Sequence, residues 1–258
     1  MDGVLTQTAK VHNAAWEQTF NAFLRRRADA LHEPFRPFDP IGDYQSFVDG
    51  RARADGVRTF LASRHITVPE GSPDDAPDLD TIFGIGNRKN QLLLERIRTD
   101  GVEVFPDSVT FLHAVRAAGL RTAVVSASAN TPDVLTAVGL DVLFDARVDG
   151  NVALARVLRG KPDPDTFAYA AELLRVPPAH AAVFEDALAG VAAGRAGDFG
   201  FVVGVDRTGS GPAGSRPTGS PAGNRPADSS PADSTSHAEA LRAHGADIVV
   251  ADLTELLS

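Results

Sequence analysis

The sequence predicts an α/β protein: a parallel β-sheet core covered by helices, joined to a separate helical region near the N-terminus. Three observations carry this. From residue 108 onward, short apolar runs such as RTAVVSAS, AHAAVFED and FGFVVGVD alternate with helix-like stretches. Strands alternating with helices require crossovers, and such crossovers build a parallel sheet. The first hundred residues show helical periodicity and turns but no convincing strand.

The elements follow in order. Asp2-Gly3 reads as a loop of the kind that leaves a strand, because adjacent Asp and Gly punctuate secondary structure. Residues 8–31 form a helix, since Trp16, Phe20, Phe23 and Leu24 recur at spacings of three and four. The Pro-rich turn PFRPFDP ends it. Helices are expected over 44–64 and 87–99, separated by PEGSPDDAPD, and then over 108–118. RTAVVSAS is a buried strand ending in small polar residues, followed by the helix TPDVLTAVG. FDARVDG reads as a hairpin or a short strand. PDTFAYAAELL is a helix, AHAAVFED a strand ending in two acids, and ALAGVAAGRAG a helix. FGFVVGVD, HAEALRAHG and ADIVVADL complete the chain as strand, helix and strand. Parallel sheets place their sites at the carboxyl ends of the strands. Residues 208–236 stand apart: Gly, Pro, Ser and Ala with the near-repeat PAGSRP/PAGNRP and almost no large apolar side chain. Such a segment buries too little to offset its ordering entropy, so disorder is expected. It reads either as a regulatory or partner-binding tail or as a tolerated loop insertion.

The 258 residues suffice for a substantial core, and 43% apolar with 23% charged content is ordinary for a globular protein. A formal net charge of -9 argues against a nucleic-acid partner, which demands a basic face. The absence of cysteine excludes disulfides, thiolate metal sites and cysteine nucleophiles. No apolar run approaches the ~20 residues of a membrane span, and the N-terminus lacks a signal-peptide layout. A cytoplasmic, monomeric protein with no membrane partner is expected.

Four features fall at predicted strand ends or in the loops beside them: Asp2 with Gly3, Ser126 after VV, Lys161 in GKPDPDTF, and Glu185-Asp186 after AVF. Singly each has an ordinary reading: a turn, a solvated lysine, a helix N-cap. Together, in this order and strand context, they resemble the four motifs of the haloacid dehalogenase-like superfamily of aspartate-dependent phosphotransferases. DGVLTQTAKVHNAAW, GNRKN at 86–90, VVSASAN, GKPDPDTF and VFEDALAGVAAGRAG resemble its β-phosphoglucomutase branch. The resemblance implies a Rossmann-like parallel-sheet core (1–9 and 101–258) and a helical cap (10–100) that closes over a small sugar phosphate. It implies Asp2 as general acid/base, Ser126 as a donor to the phosphoryl oxygens and Lys161 as the neutralising cation. It implies Mg2+ on Asp2, Asp186 and Glu185. For substrate binding it implies Arg53 as the grip on a second phosphate, His12 and Lys89 at hinge and cap, and the run Ala127, Ser128, Asn130.

The match to the first motif begins at its middle position. Met1 stands between the two aspartates of Asp-x-Asp, so the nucleophile and the strand that carries it would precede Met1. The chain from Met1 is accordingly expected to be inactive and poorly folded, or to be a shortened form. Gln7 stands where the branch often has Asp, and Ala129 where it has Lys. The functions implied are interconversion of β-D-glucose 1-phosphate and glucose 6-phosphate through an aspartyl-phosphate, or hydrolysis of a sugar phosphate by the same residues, or binding without catalysis.

Overall fold

The computed structural model describes residues 1–207 and 236–257. The chain opens in tight turns, with Met1 O accepting from the amides of Val4, Leu5 and Thr6. Helix α1, Thr8–Leu31, takes the span its periodicity predicts and ends at His32, whose φ of 55° lies in the left-handed region. Residues 44–64 do not form one helix. Tyr44–Val48 is a π-helical turn, Asp49 is extended, and α2 runs over Arg53–Ser63. Gly50, with φ +69°, makes this break, and a Cβ there would fall 2.8 Å from the Ala187 side chain. Helix α3, Ile82–Asp100, starts earlier than predicted because the Thr81 hydroxyl caps it, accepting from Gly84 N at 2.9 Å.

These elements share a core of their own. Trp16, Phe20, Phe23 and Leu24 of α1 pack against Phe38, Tyr44, Val48, Phe60 and Ile85. Phe20 stacks on Trp16 at a centroid distance of 4.9 Å and meets Phe60 at 4.1 Å. Every buried member of this cluster lies between residues 16 and 85.

The remainder is the α/β part. After α4, Pro106–Ala117, come β1, Ala123–Val125, then α5, Thr131–Ala137, and β2, Ala146–Val148. β2 pairs with β1 in parallel, which rules out the hairpin reading of FDARVDG. Helix α6, Gly150–Arg156, was not anticipated. Asp149 caps it by accepting from Asn151 N and Val152 N at 2.9 and 3.0 Å. Then follow α7, Asp165–Leu174; β3, Ala182–Glu185; α8, Leu188–Ala196; β4, Phe201–Val205; α9, His237–Ala243; and β5, Ile248–Val250. Short 3-10 turns lie at 141–143, 178–180 and 253–257.

All pairing among the named strands is parallel, but the strands form two sheets, β1-β2 and β3-β4-β5, rather than one. Among the described residues no strand ladder joins them. Residues 1–6 lie between the two halves. Met1 and Leu5 pack with Val124 of β1, whereas Val4 packs with Val203 and Val205 of β4. The 208–236 segment falls outside the described residues, except that Ser236 forms a capping box with Glu239 at the start of α9. No described helix is long and apolar enough to cross a membrane.

Candidate active site

A cavity of about 410 Å³ separates the strand ends from the helical region. Asp2, Ser126, Ala127, Ser128, Lys161, Glu185 and Asp186 line one wall, and His12, Arg53 and Lys89 line the other. Ten of the eleven residues singled out from the sequence therefore face one space, Asn130 being the exception. Asn130 sits just behind it, donating its side-chain amide to Asn90 Oδ1 at 2.9 Å.

Asp2 is held from three sides. Thr8 donates its hydroxyl to Oδ1, Ser126 donates to Oδ2 at 3.2 Å, and His12 Nε2 lies 3.7 Å from Oδ1. Burial would raise this carboxyl, but His12, the Met1 amino group, Thr8 and Lys89 outweigh it and hold its pKa at about 2. The turn that positions Asp2 depends on Gly3, whose φ is +67°, and a Cβ there would lie 1.7 Å from Asp186 Oδ2. Only glycine lets the two acid-bearing loops meet this closely.

Ser126 follows β1, where Val125 ends the ladder. Its hydroxyl also accepts from Ser128 N at 3.2 Å, and Ser128 Oγ accepts from Asn130 N at 3.2 Å. The SAS run is thus a hydrogen-bonded loop that turns its amides about the strand end. Lys161 and Glu185 form an ion pair buried on both sides, with the lysine ammonium 4.7 Å from the centre of the Phe167 ring. A buried pair of this kind needs both partners, since either one alone is an uncompensated charge.

Asp186 has the opposite electrostatics to Asp2. Burial, followed by Asp49 and Glu185, pushes its carboxyl well above the usual range. A cation bound beside Asp186 would offset these effects and return the carboxyl to its charged form. Among the described residues no group of three acid or histidine side chains could hold a metal alone. The oxygen donors present suit Mg2+, which takes one or two carboxylates and completes its shell with phosphate and water oxygens.

On the opposite wall, Lys89 is buried and hydrogen-bonds His12 Nδ1 at 3.0 Å, 5.1 Å from the centre of the Trp16 ring. Burial, helped by Arg53, drops the Lys89 pKa to about 7, and burial with Lys89 holds His12 down at about 4. Arg53 donates to Asn87 Oδ1 at 3.0 Å, leaving the rest of its fork toward the cavity it lines.

Two cavity residues escaped the sequence reading. Asp49 and Tyr44 hydrogen-bond each other, and burial raises Asp49 to about 6. Asp49-Gly50 repeats the Asp-Gly punctuation of Asp2-Gly3 and was the available signal.

Acid-bearing strand ends, a buried lysine and a facing cationic wall define a phosphate-handling α/β site, and residues 1–198 match the family model of the haloacid dehalogenase-like hydrolases. The chain belongs to that family, in its β-phosphoglucomutase branch. A β-phosphoglucomutase of Mycobacterium bovis is 51% identical over 257 residues, covering 100% of this chain and 89% of that protein. In fold, the chain is similar to a β-phosphoglucomutase from Clostridium difficile, with a TM-score of 0.68, 22% identity, and coverage of 99% and 89% of the two chains. A hydrolase from Pseudomonas syringae gives a TM-score of 0.69 at 19% identity, covering 100% and 93%.

Proposed function

We propose that this protein is a phosphotransferase that interconverts β-D-glucose 1-phosphate and glucose 6-phosphate, with residues 10–100 acting as a cap over the site. The observation that carries this reading is the facing pair of walls: acids with Ser126 and Lys161 below, Arg53, Lys89 and His12 above. A hydrolase needs one phosphate grip and a path for water. A mutase needs a second grip, so that the sugar can be held by either end, and Arg53 offers a planar fork suited to a phosphate.

Phosphoryl transfer is mostly positioning and electrostatics. Ser126 and the Ser128 loop donate to the phosphoryl oxygens, and Lys161 offsets their charge. Asp2, held ionised, accepts the proton of the attacking sugar hydroxyl and returns it to a leaving oxygen in the reverse direction. The Asp186 carboxylate, Glu185 and the Asp2 carbonyl would hold Mg2+, which supplies charge neutralisation for the transferring group when bound. The carboxylate that carries the phosphoryl group belongs, by the family resemblance, one position ahead of Met1. Closure of the cap excludes water, the competing acceptor.

The test is product analysis with β-D-glucose 1-phosphate and Mg2+, on this chain and on one extended ahead of Met1 by a short strand ending in Asp. Glucose 6-phosphate from the extended chain supports the mutase. Free phosphate supports the second reading, a sugar-phosphate phosphatase, which Ala129 favours by removing a cation from the phosphate loop. Binding without turnover in both chains would sink both catalytic readings.

A further inference from the structure

We propose that His237 is a positioning residue that ties the Asp186 loop to the helical region. His237 opens α9, on the far side of the sequence from every motif above. Its Nε2 lies 2.9 Å from the backbone carbonyl of Asp186, and its Nδ1 lies 3.5 Å from Gln45 Nε2. The chemistry of the two contacts agrees. A carbonyl can only accept, so Nε2 carries the hydrogen; Nδ1 is then a lone pair, and the Gln45 amide nitrogen donates to it. One neutral tautomer satisfies both partners at once.

The placement gives this bridge its consequence. Gln45 lies in the π-helical turn Tyr44–Val48, whose Tyr44 and Val48 face the cavity. Asp186 ends the β3 loop and presents its carboxylate beside Gly3. His237 therefore joins a cavity wall of the helical region to the loop that sets the Asp186 carboxylate. Nearby, Gly50 packs on Ala187, so the same two loops already touch. A hydrogen bond to the carbonyl fixes the peptide plane after Asp186 and hence the direction of its side chain. The bond to Gln45 makes that direction depend on where the helical region sits. In kinetic terms this rests on the cap reading proposed above; in structural terms it does not.

Hydrogen exchange on the ligand-free chain, followed by mass spectrometry, tests the bridge without any turnover. His237→Ala is expected to speed exchange about tenfold or more in both 44–50 and 184–190, segments that local opening would expose. Gln45→Ala should reproduce the change at 44–50, and the double variant should add little to either single one, as for residues in one network. His237→Gln should restore slow exchange, because one amide can donate to the Asp186 carbonyl and accept from Gln45. His237→Leu, similar in bulk, should not. Faster exchange confined to α9 and β5 in His237→Ala, or equal exchange in the Gln and Leu variants, would overturn the proposal. So would additive effects of the two alanine substitutions. Should the protein prove inactive on glucose phosphates, these exchange outcomes still decide the bridge. Should it be active, His237→Ala is expected to lower kcat/KM about tenfold and to raise the Mg2+ concentration needed for half-maximal rate.

Discussion

Lys89 shows how a single buried charge shapes both stability and function. Its ammonium is ordinarily half-titrated at 10.5, but burial brings this to about 7 in the fold. Between those values the unfolded chain holds a proton that the folded chain has released, so stability rises with pH across that window. Below pH 7 both states are protonated and the full cost of burying the charge is present. Lys89→Met should therefore raise Tm most near pH 6 and lose its advantage as pH climbs toward 10. At about 1.4 kcal/mol per pH unit, the low-pH gain amounts to a few kcal/mol. Thermal melts of both proteins at several pH values check the sign. A gain that grows with pH would show the opposite, that the fold holds Lys89 charged with its pKa raised above the ordinary 10.5. The same substitution should depress turnover, because it removes the partner of His12. Gly3 is the complementary case. A Cβ at 1.7 Å from Asp186 Oδ2 has no room, and φ of +67° is strained for alanine. Gly3→Ala should displace the Asp186 carboxylate, abolish measurable turnover and lower Tm. An active Gly3→Ala would mean that the two acid loops need not touch.

At the level of elements, helix α6 depends on one cap. Asp149 is 2% exposed, satisfies two amides of the first turn and also pairs with Arg147. Asp149→Ala is expected to cost about 1–2 kcal/mol, read as a lower denaturant midpoint with an unchanged slope. Asp149→Asn, which keeps an accepting oxygen, should lose less. This helix also marks where the sequence was hard to read. GNVALAR is seven residues long, too short for a helical period to stand out, and it opens on the Asp149-Gly150 dipeptide, which signals a turn. By contrast α1 was legible along its whole length, because four aromatic and leucine side chains mark one face. The strand ends were legible because small polar or acidic residues interrupt apolar runs. Asp49, Tyr44 and His237 were not: Asp49 and Tyr44 meet through a π-helical turn where the periodicity suggested an α-helix, and His237 gains its meaning from Asp186 and Gln45, which only the fold brings near.

The whole molecule shows a divided sheet. Among the described residues β1 pairs only with β2 and β3 only with β4, so each presents an edge toward the space where residues 1–6 are packed. The gap lies where the family resemblance expects a middle strand ahead of Met1, and the residues that occupy it do not replace that strand. Residues 1–6 turn back on themselves, with three amides converging on Met1 O, and their pairing beyond the segment is an isolated antiparallel bridge from Thr6 to Val104 rather than a ladder with β1 or β3. An edge strand leaves backbone donors and acceptors without a ladder partner, each worth about 1 kcal/mol when paired. An extended segment of about five residues, the usual strand length, could pair with both edges at once if placed ahead of Met1. Its last residue would then reach the cavity beside Asp2. The expected outcome is a single cooperative melt with Tm raised by several degrees, at about 2–4 °C per kcal/mol for a chain of this size. A control extension of equal length with Pro at alternate positions, which cannot donate to a ladder, should leave Tm unchanged. Equal melting of both extended forms would show that the β1 and β3 edges do not face a common gap. The division of the sheet would then be a stable feature of the fold, with residues 1–6 as its filling.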